Sequence, residues 1–328
     1  MKPCRCELRI ASRKMQRSLF DTAAVHAFPY RELKYYSFGL RAGFANLFRN
    51  GRALGLKRTV GKITQPINSY SRFPEYHFFD QAITKYLASL GSPSGFTILD
   101  VGSPKIFGLQ FASAADVNLT LTDITELNIG QYRILWEAIR SRARGQAHFD
   151  LQDARRFTFP AEEFDVVYSM SVVEHVQGDR GDSEAVREMI RVLKPGGLLL
   201  ISVPFGPVFQ EQSIVGFADA ARPTHDSREY FFQRIYDSEA FKSRILSEAA
   251  LESAEMITVS RRRVRLLRAY SRLGQNIHGV LGFLNPFLSA IGNRSCTGVN
   301  PSLVGCYGRL HSLQDIYGDL ILAGIKPQ

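Results

Sequence analysis

Cysteine, tryptophan and long apolar runs are all scarce in this sequence, which has 4 Cys and 1 Trp in 328 residues. Cys4 and Cys6 lie too close together for an ordinary disulfide, and Cys296 and Cys306 lack the neighbouring Cys or His of a metal-binding spacing. No apolar run approaches the roughly 18 residues that a membrane-spanning helix needs. These absences exclude a disulfide scaffold and a spanning helix. They predict no metal site and favour a reducing, cytoplasmic location.

Acidic residues are scarce in only one part of the chain. Residues 1–62 contain 14 Lys and Arg but three Asp and Glu, whereas the remaining residues contain 27 basic and 28 acidic side chains. Residues 1–70 also lack sustained periodicity, so we interpret them as a basic, flexible N-terminal tail and linker. Because the rest of the chain is close to neutral, it lacks the positive surface that nucleic-acid-binding domains use, and we expect no nucleic-acid partner.

Short apolar runs alternate with helical periodicities over residues 71–205. Such alternation predicts βαβ units with right-handed crossovers, and therefore a doubly wound α/β fold with a mostly parallel sheet. We assign strands to the runs at 97–102, 118–123, 147–151, 164–170 and 198–203, and helices to the segments at 83–90, 105–115, 129–139 and 183–193.

The pattern loosens beyond Pro204. Helical spacing at 238–251 precedes two further strand candidates, 254–260 and 318–325. Residues 261–313 form a long insertion between those two strands. Because structureless loops of that length are uncommon inside compact domains, we interpret the insertion as a helical cap or surface-contact element. The rest of the chain, residues 71–328, is then a single domain.

Polar residues stand at the ends of four predicted strands. Asp100 and Gly102 follow the first strand, Asp123 ends the second, Asp153 lies just past the third, and Ser169 lies in the fourth. Ligands of open α/β sheets bind outside the carboxyl ends of the strands. Carboxylates there can accept hydrogen bonds from the hydroxyls and amines of a nucleoside, while a glycine lets the backbone approach closely. The 23 residues from Asp100 to Asp123 correspond to one βαβ step, which predicts neighbouring strands.

In order and spacing, six segments resemble the class I S-adenosylmethionine-dependent methyltransferases, and among them the type 11 group. The segments are Ile98-Leu99-Asp100-Val101-Gly102-Ser103, Leu121-Thr122-Asp123-Ile124, Asp150-Leu151-Gln152-Asp153-Ala154, Phe164-Asp165-Val166-Val167-Tyr168-Ser169, Val173-Glu174-His175-Val176 and Leu193-Lys194-Pro195-Gly196-Gly197-Leu198. The resemblance covers about residues 75–205. It implies a Rossmann-like fold with a seven-stranded, mostly parallel sheet, and S-adenosylmethionine as the cofactor.

The resemblance also implies roles for residues at the first two strand ends. Asp100 and Gly102 would lie beside the methionine part of the cofactor, with the loop backbone holding its carboxylate and amine. Asp123 would accept hydrogen bonds from both ribose hydroxyls, and Ile124 would pack on the adenine face.

Three further residues receive roles from the same resemblance. Asp153 would accept a hydrogen bond from the adenine amino group, and the backbone of Ala154 would donate to the base. Ser169 would lie under the transferred methyl group.

The first loop departs from the family pattern. Pro104 stands where the second glycine of Asp/Glu-x-Gly-x-Gly belongs. Ser103 could still donate to the cofactor, and Lys105 could approach its carboxylate. The same departure argues against a nicotinamide dinucleotide, whose pyrophosphate needs a glycine-rich turn at a helix N-terminus.

Candidates for acting on the acceptor come later in the chain. His175 is the candidate general base because its side chain titrates near neutral pH, although Glu174-His175 could simply open the segment after the fourth strand. His225, Tyr230 and Arg234 belong to a stretch dense in aromatic, Arg and His side chains. Such a mixture is typical of a pocket wall for a polar ligand. It is equally typical of a packed strand with Arg234 paired to a surface acid.

The sequence therefore predicts methyl transfer to a small or medium-sized polar acceptor, at oxygen rather than carbon. One alternative is a catalytically degenerate methyltransferase fold that serves as a scaffold. The other is a peripheral membrane enzyme acting on a lipid- or sugar-linked substrate. The last alternative depends on a basic cluster beside apolar sequence, which could contact an anionic membrane. Its residues are Arg261, Arg262, Arg263, Arg265 and Arg268.

Overall fold

The computed structural model describes residues 18–20, 29–54, 72–91, 95–215, 217–219, 222–223, 229–261, 293–299 and 318–328. Its strands, in chain order, are β1 Phe96–Val101, β2 Val117–Asp123, β3 Gln146–Leu151, β4 Phe164–Met170, β5 Leu193–Phe205, β6 Gln210–Val215, β7 Phe217–Asp219, β8 Arg222–Pro223, β9 Glu229–Ile235, β10 Ser253–Arg261, β11 Asn293–Val299 and β12 Gly318–Ile325. Its longer helices are α1 Pro29–Leu54, α2 Arg72–Ser89, α3 Lys105–Ala114, α4 Glu126–Ile139 and α5 Gly181–Val192. Three consecutive helical pieces follow β9: Ser238–Phe241, a π-helical Lys242–Leu246, and Ser247–Ala249.

Eight of the strands form one sheet in the order β11-β10-β12-β5-β4-β1-β2-β3. The five strands from β5 to β3 are parallel, and β12, β10 and β11 add antiparallel pairs at the other side. This confirms the predicted doubly wound, mostly parallel sheet, including all seven predicted strands. The eighth strand, β11, was not predicted.

β11 lies within the insertion that was predicted to be helical. The prediction is wrong for residues 293–299, which pair with β10 as an edge strand. Apart from Arg261, which ends β10, the other residues of 261–313 lie outside the described residues.

The central strands carry continuous apolar sequence because helices cover both faces of the sheet. In β4, the neighbouring residues Val166 and Val167 are both fully buried, although their side chains point to opposite faces. Two apolar clusters result, one on each side of the sheet. At roughly 25 cal/mol per Å² of buried apolar surface, these clusters supply the main driving force for folding.

Helix α1 corrects the prediction that residues 1–70 are a flexible tail. Tyr35, Phe38 and Ala42 occupy one helical face and are buried, and Lys34 donates to Asp80 over 2.7 Å. The backbone N–H of Leu19 also donates to a carboxylate, that of Glu255, over 2.8 Å. The tail prediction is therefore wrong for residues 18–20 and 29–54. The remaining residues up to 71 lie outside the described part of the chain.

A row of aromatic rings, in stacked and edge-on contact, joins α1 to the sheet. Tyr35 stacks on Phe107 of α3 with ring centroids 5.6 Å apart, and Phe107 meets Tyr168 of β4 edge-on at 5.4 Å. Tyr76 of α2 lies 5.5 Å from the same Phe107 ring. Such ring pairs each contribute about 0.5–1.5 kcal/mol beyond the area they bury.

A second, small sheet lies near the carboxyl end of β5. β6 and β9 pair in antiparallel fashion, and Phe205 forms a parallel bridge with Tyr236, which follows β9. The pair β6–β9 therefore stands at the edge where the central strands end.

Candidate cofactor and acceptor site

The loop after β1 lies in the middle of the sheet, with β4 on one side of β1 and β2 on the other. The order in which successive strands join the sheet reverses at this point. Gly102 has φ +68°, and a Cβ built there would lie 2.7 Å from Cγ1 of Val172. Both observations require glycine at this position. Pro104 follows with φ −58°, and α3 begins at the next residue.

Asp100, at the end of β1, is fully buried and organises this loop. Its Oδ1 accepts hydrogen bonds from the backbone N–H of Ser103 at 2.9 Å and from Nζ of Lys105 at 3.0 Å. Its Oδ2 accepts a hydrogen bond from the phenol of Tyr168 at 2.6 Å. Burial raises the pKa of the Asp100 carboxyl above its usual range, and these donors oppose that rise.

Lys105 is the first residue of α3, and its side chain is buried with 1% exposure. Nζ donates to the carbonyl of Ser103 over 2.9 Å as well as to Asp100. It lies 3.8 Å from Oδ2 of Asp123 on the neighbouring strand. The ammonium thus stands between the two strand-end carboxylates.

Asp123 ends β2, and its side chain is 12% exposed. Oδ1 accepts hydrogen bonds from the backbone N–H and hydroxyl of Thr125 at 3.1 and 3.2 Å, and Asn128 contacts both carboxylate oxygens at 3.3–3.4 Å. Ile124 follows with 66% of its surface exposed. A carboxylate and an open apolar side chain therefore lie next to each other at the ligand-binding edge.

Asp153 and Ala154, just past β3, lie in a different setting. Asp153 forms a bidentate pair with Arg155, whose Nη2 and Nε lie 2.6 and 3.0 Å from its two oxygens. Hydrogen bonding to Arg155 lowers the pKa of this carboxyl. Ala154 packs against one apolar cluster. An adenine amino group at Asp153 would have to share the carboxylate with Arg155.

Ser169 and Ser103 lie under the loop. Ser169 is fully buried, and its hydroxyl has no hydrogen-bond partner among the described residues. The Ser103 hydroxyl accepts a hydrogen bond from the backbone N–H of Met170 over 2.9 Å, which ties the first loop to β4.

Sequence reasoning missed a buried carboxylate on α2 that contacts β5 and the residue after β4. Oε1 of Glu75, on α2, accepts hydrogen bonds from the hydroxyls of Ser171 at 2.8 Å and Ser202 at 2.6 Å. Ser171 has φ +50°, a left-handed conformation that is costly for a residue with a Cβ. A polar residue in the buried stripe of α2 was the only available signal.

His175 lies in a short 3₁₀ helix, Val173–His175, that follows β4. Its Nδ1 lies 2.7 Å from the carbonyl oxygen of Phe232, and its side chain is 37% exposed. Because a carbonyl only accepts, Nδ1 must carry the proton. In a neutral ring Nε2 is then unprotonated. This nitrogen lies 3.9 Å from Oε1 of the buried Glu174.

Arg234 does not line a pocket, so the prediction that it binds substrate is corrected. The side chain is 1% exposed and donates to Glu211 over 2.9 Å, to the carbonyl of Val176 over 2.7 Å and to that of Gly178. Its guanidinium also lies 4.6 Å from the ring centroid of Phe231. Arg234 therefore fastens β9 to the segment after β4.

The other two predicted acceptor residues have different outcomes. Tyr230 is half-buried in β9, where it pairs with Ile214 of β6. His225 lies outside the described residues. Within the described ranges, no three His, Cys, Asp or Glu side chains are grouped as metal ligands, and no helix is long and apolar enough to cross a membrane.

Comparison with known protein sequences finds methyltransferases. Residues 99–201 match the family of the methyltransferase domain. A sterol 24-C-methyltransferase from Gibberella zeae is 32% identical over 136 residues, covering 39% of this chain and 34% of that protein. A 2-methyl-6-phytyl-1,4-hydroquinone methyltransferase from Synechocystis is 32% identical over 110 residues, covering 34% and 32%. A ubiquinone/menaquinone biosynthesis C-methyltransferase from Ectopseudomonas mendocina is 30% identical over 122 residues, covering 36% of each protein.

The family match, on a sheet of this strand order, identifies residues 99–201 as a methyltransferase domain, as the sequence motifs predicted. The aligned regions span about a third of the length of these relatives.

Proposed function

We propose that this chain binds S-adenosylmethionine beside β1 and β2 and methylates an oxygen atom of a small or medium-sized polar acceptor. The observation that carries the cofactor site is the pairing of Asp123 with the exposed Ile124. A carboxylate that faces solvent on one side can accept hydrogen bonds from ribose hydroxyls. An open apolar side chain next to it can cover the face of an adenine.

The first loop fits the rest of that ligand. Gly102 carries no side chain, and Val172 packs into the space that a Cβ there would fill, which holds the loop backbone close to the segment after β4. When bound, S-adenosylmethionine supplies an electrophilic methyl group on its sulfonium. The work of the chain is then to place the acceptor atom in line with that methyl group.

His175 supports oxygen as the acceptor atom. With Nδ1 donating to Phe232, its Nε2 can accept the proton of an acceptor hydroxyl. Ser171 lies in the same region, and because its hydroxyl donates to Glu75, its lone pairs remain to accept a hydrogen bond from the acceptor. Both groups suit an acceptor that must lose a proton.

Calorimetric titration of S-adenosylhomocysteine into the wild type and Asp123→Ala tests the cofactor site. We expect binding to the wild type and a loss of about tenfold to a hundredfold in the variant, because a charged acceptor of two hydroxyls is removed. Transfer of a radiolabelled methyl group to panels of phenols, sugars and amines then tests the acceptor class. A folded wild type that binds no S-adenosylhomocysteine would favour the alternative of a degenerate scaffold.

A lipid-linked acceptor is the second candidate function. Two of the relatives are named as C-methyltransferases, one for a sterol and one for quinones. Arg261 ends β10, and Arg262, Arg263, Arg265 and Arg268 lie outside the described residues. Flotation with vesicles of phosphatidylcholine, with and without phosphatidylserine, tests membrane contact. Equal flotation with both vesicles would argue against an electrostatic role for these arginines.

A further inference from the structure

We propose that Lys105 binds a ribose hydroxyl of the cofactor together with Asp123, so that one hydroxyl contacts both side chains. This inference rests on the proposed cofactor site and adds to it Lys105, the residue that follows Pro104 in the first loop.

An ammonium has three protons and accepts no hydrogen bonds. Two protons of Lys105 are used within the loop, by Oδ1 of Asp100 at 3.0 Å and by the carbonyl of Ser103 at 2.9 Å. Among the described residues, the next oxygen is Oδ2 of Asp123 at 3.8 Å, which is too far for a direct hydrogen bond. The third proton is therefore left for a group that lies beside the pair and contacts both Lys105 and Asp123.

The 3.8 Å separation fits a single hydroxyl oxygen. An oxygen about 2.8 Å from both Nζ and Oδ2 would accept from the ammonium and donate to the carboxylate. A hydroxyl can accept one hydrogen bond and donate another at the same time, whereas an ammonium group or a metal cation cannot accept a hydrogen bond from Lys105. The pair therefore selects a ligand hydroxyl, and a ribose offers one at the end of β2.

Burial makes the contact strong. Lys105 is 1% exposed and Asp123 is 12% exposed, so a hydroxyl that contacts both has little access to water. Hydrogen bonds to charged groups contribute about twice as much as neutral ones. The first loop thus has Pro104 in place of a glycine, and the residue after it supplies a fixed donor to the sugar hydroxyl.

The test needs a variant that keeps the loop folded. Removing Lys105 alone would leave the buried Asp100 carboxylate without its cation, which is strongly destabilising. Asp100→Asn is milder, because Lys105 still has the Asp123 carboxylate 3.8 Å away. We therefore choose Asp100→Asn/Lys105→Met, with Asp100→Asn as the matched control that retains the ammonium. Each protein is titrated calorimetrically with S-adenosylhomocysteine and with its 2′-deoxy and 3′-deoxy forms.

We expect the double variant to bind S-adenosylhomocysteine at least about tenfold more weakly than Asp100→Asn. For the deoxy form that lacks the shared hydroxyl, the two proteins should differ less than about twofold. Equal losses for all three nucleosides would overturn the inference, because Lys105 would then act only through the shape of the loop. Unchanged affinity for S-adenosylhomocysteine would also overturn it. A wild type that binds none of the three would instead refute the proposed cofactor site itself.

Discussion

The phenol of Tyr168 donates to Oδ2 of Asp100 over 2.6 Å, so a side chain of β4 holds the end of the neighbouring strand β1. The two residues are also register partners in the parallel pair. Burial raises the pKa of the Tyr168 phenol well above its ordinary value, so it stays a neutral donor at physiological pH. The shape of the first loop therefore depends on β4 as much as on its own sequence.

Tyr168→Phe should lower the free energy of unfolding by about 1–3 kcal/mol, because a buried carboxylate loses a donor. It should also weaken S-adenosylhomocysteine binding. Tyr236→Phe is the matched control, since the Tyr236 phenol donates over 2.8 Å to a different buried carboxylate, Asp182. Denaturant unfolding and calorimetry of both variants check this, and a loss of affinity in Tyr236→Phe as large as that in Tyr168→Phe would contradict a local effect.

Gly102→Ala should reduce both stability and cofactor affinity. The new Cβ would meet Val172 at 2.7 Å, and φ +68° costs an L-residue about 1–2 kcal/mol. Gly95→Ala is the control, because Gly95 has φ +76° but nothing within 4 Å of its Cβ position. Adding Val172→Ala should recover the steric part of the Gly102→Ala loss and leave the backbone part, as measured by unfolding. No recovery would mean that the contact with Val172 costs little.

Glu188→Gln should make stability less dependent on acidic pH. Glu188 accepts hydrogen bonds from Arg191 over 2.8 Å and from the backbone N–H of Phe157 over 2.9 Å, and Arg191 lowers its pKa. A lowered pKa stabilises the fold above the unfolded value of about 4.3, and this contribution is lost as the pH falls through the folded value. The variant should therefore be less stable than the wild type at pH 7, by about 1 kcal/mol, and equal to it near pH 3. Unfolding at both pH values measures the difference, and a gap that persists at pH 3 would assign it to the amide rather than to the charge.

Arg234→Met should destabilise the whole domain by about 3–5 kcal/mol. The change removes a buried cation that lies 3.8 Å from the buried Asp182 carboxylate, and it leaves two backbone carbonyls without their donor. Limited proteolysis should then cut near β6 and β9 before the central sheet. The exposed Arg133→Met provides the control, because its pair with Glu126 is open to solvent and contributes little. A stable Arg234→Met protein with weakened acceptor binding would restore the pocket interpretation.

Strand-end residues could be placed from the sequence because a parallel sheet brings all its carboxyl ends to one edge. Asp100 and Asp123 lie on paired strands, one βαβ step apart, as predicted. Helix α1 was missed for a different reason. Its buried residues Tyr35, Phe38 and Ala42 have helical spacing, but the excess of basic side chains around them suggested a solvated tail.

The contacts of long polar side chains could not be predicted, because they depend on tertiary packing. The sequence showed Arg234 among aromatic residues but not that two backbone carbonyls and Glu211 enclose it. Likewise, Lys105 was expected near a ligand carboxylate, whereas the structure turns its ammonium toward Asp100 and the neighbouring Asp123. Periodicity identifies which residues are inside, and it leaves their hydrogen-bond partners undetermined.

The rings of Tyr35, Phe107 and Tyr168 contact one another in turn and connect helix α1 to Asp100, which is distant from α1 in the sequence. The part of the chain matched by the methyltransferase family begins only at residue 99 and includes neither α1 nor α2. Undocking of α1 would remove the Tyr35 ring from Phe107 and loosen the support behind the ligand loop. Docking of α1 and occupancy of the cofactor site should therefore be linked. Ligand binding should slow the proteolysis of α1, although the helix lies outside the ligand loop.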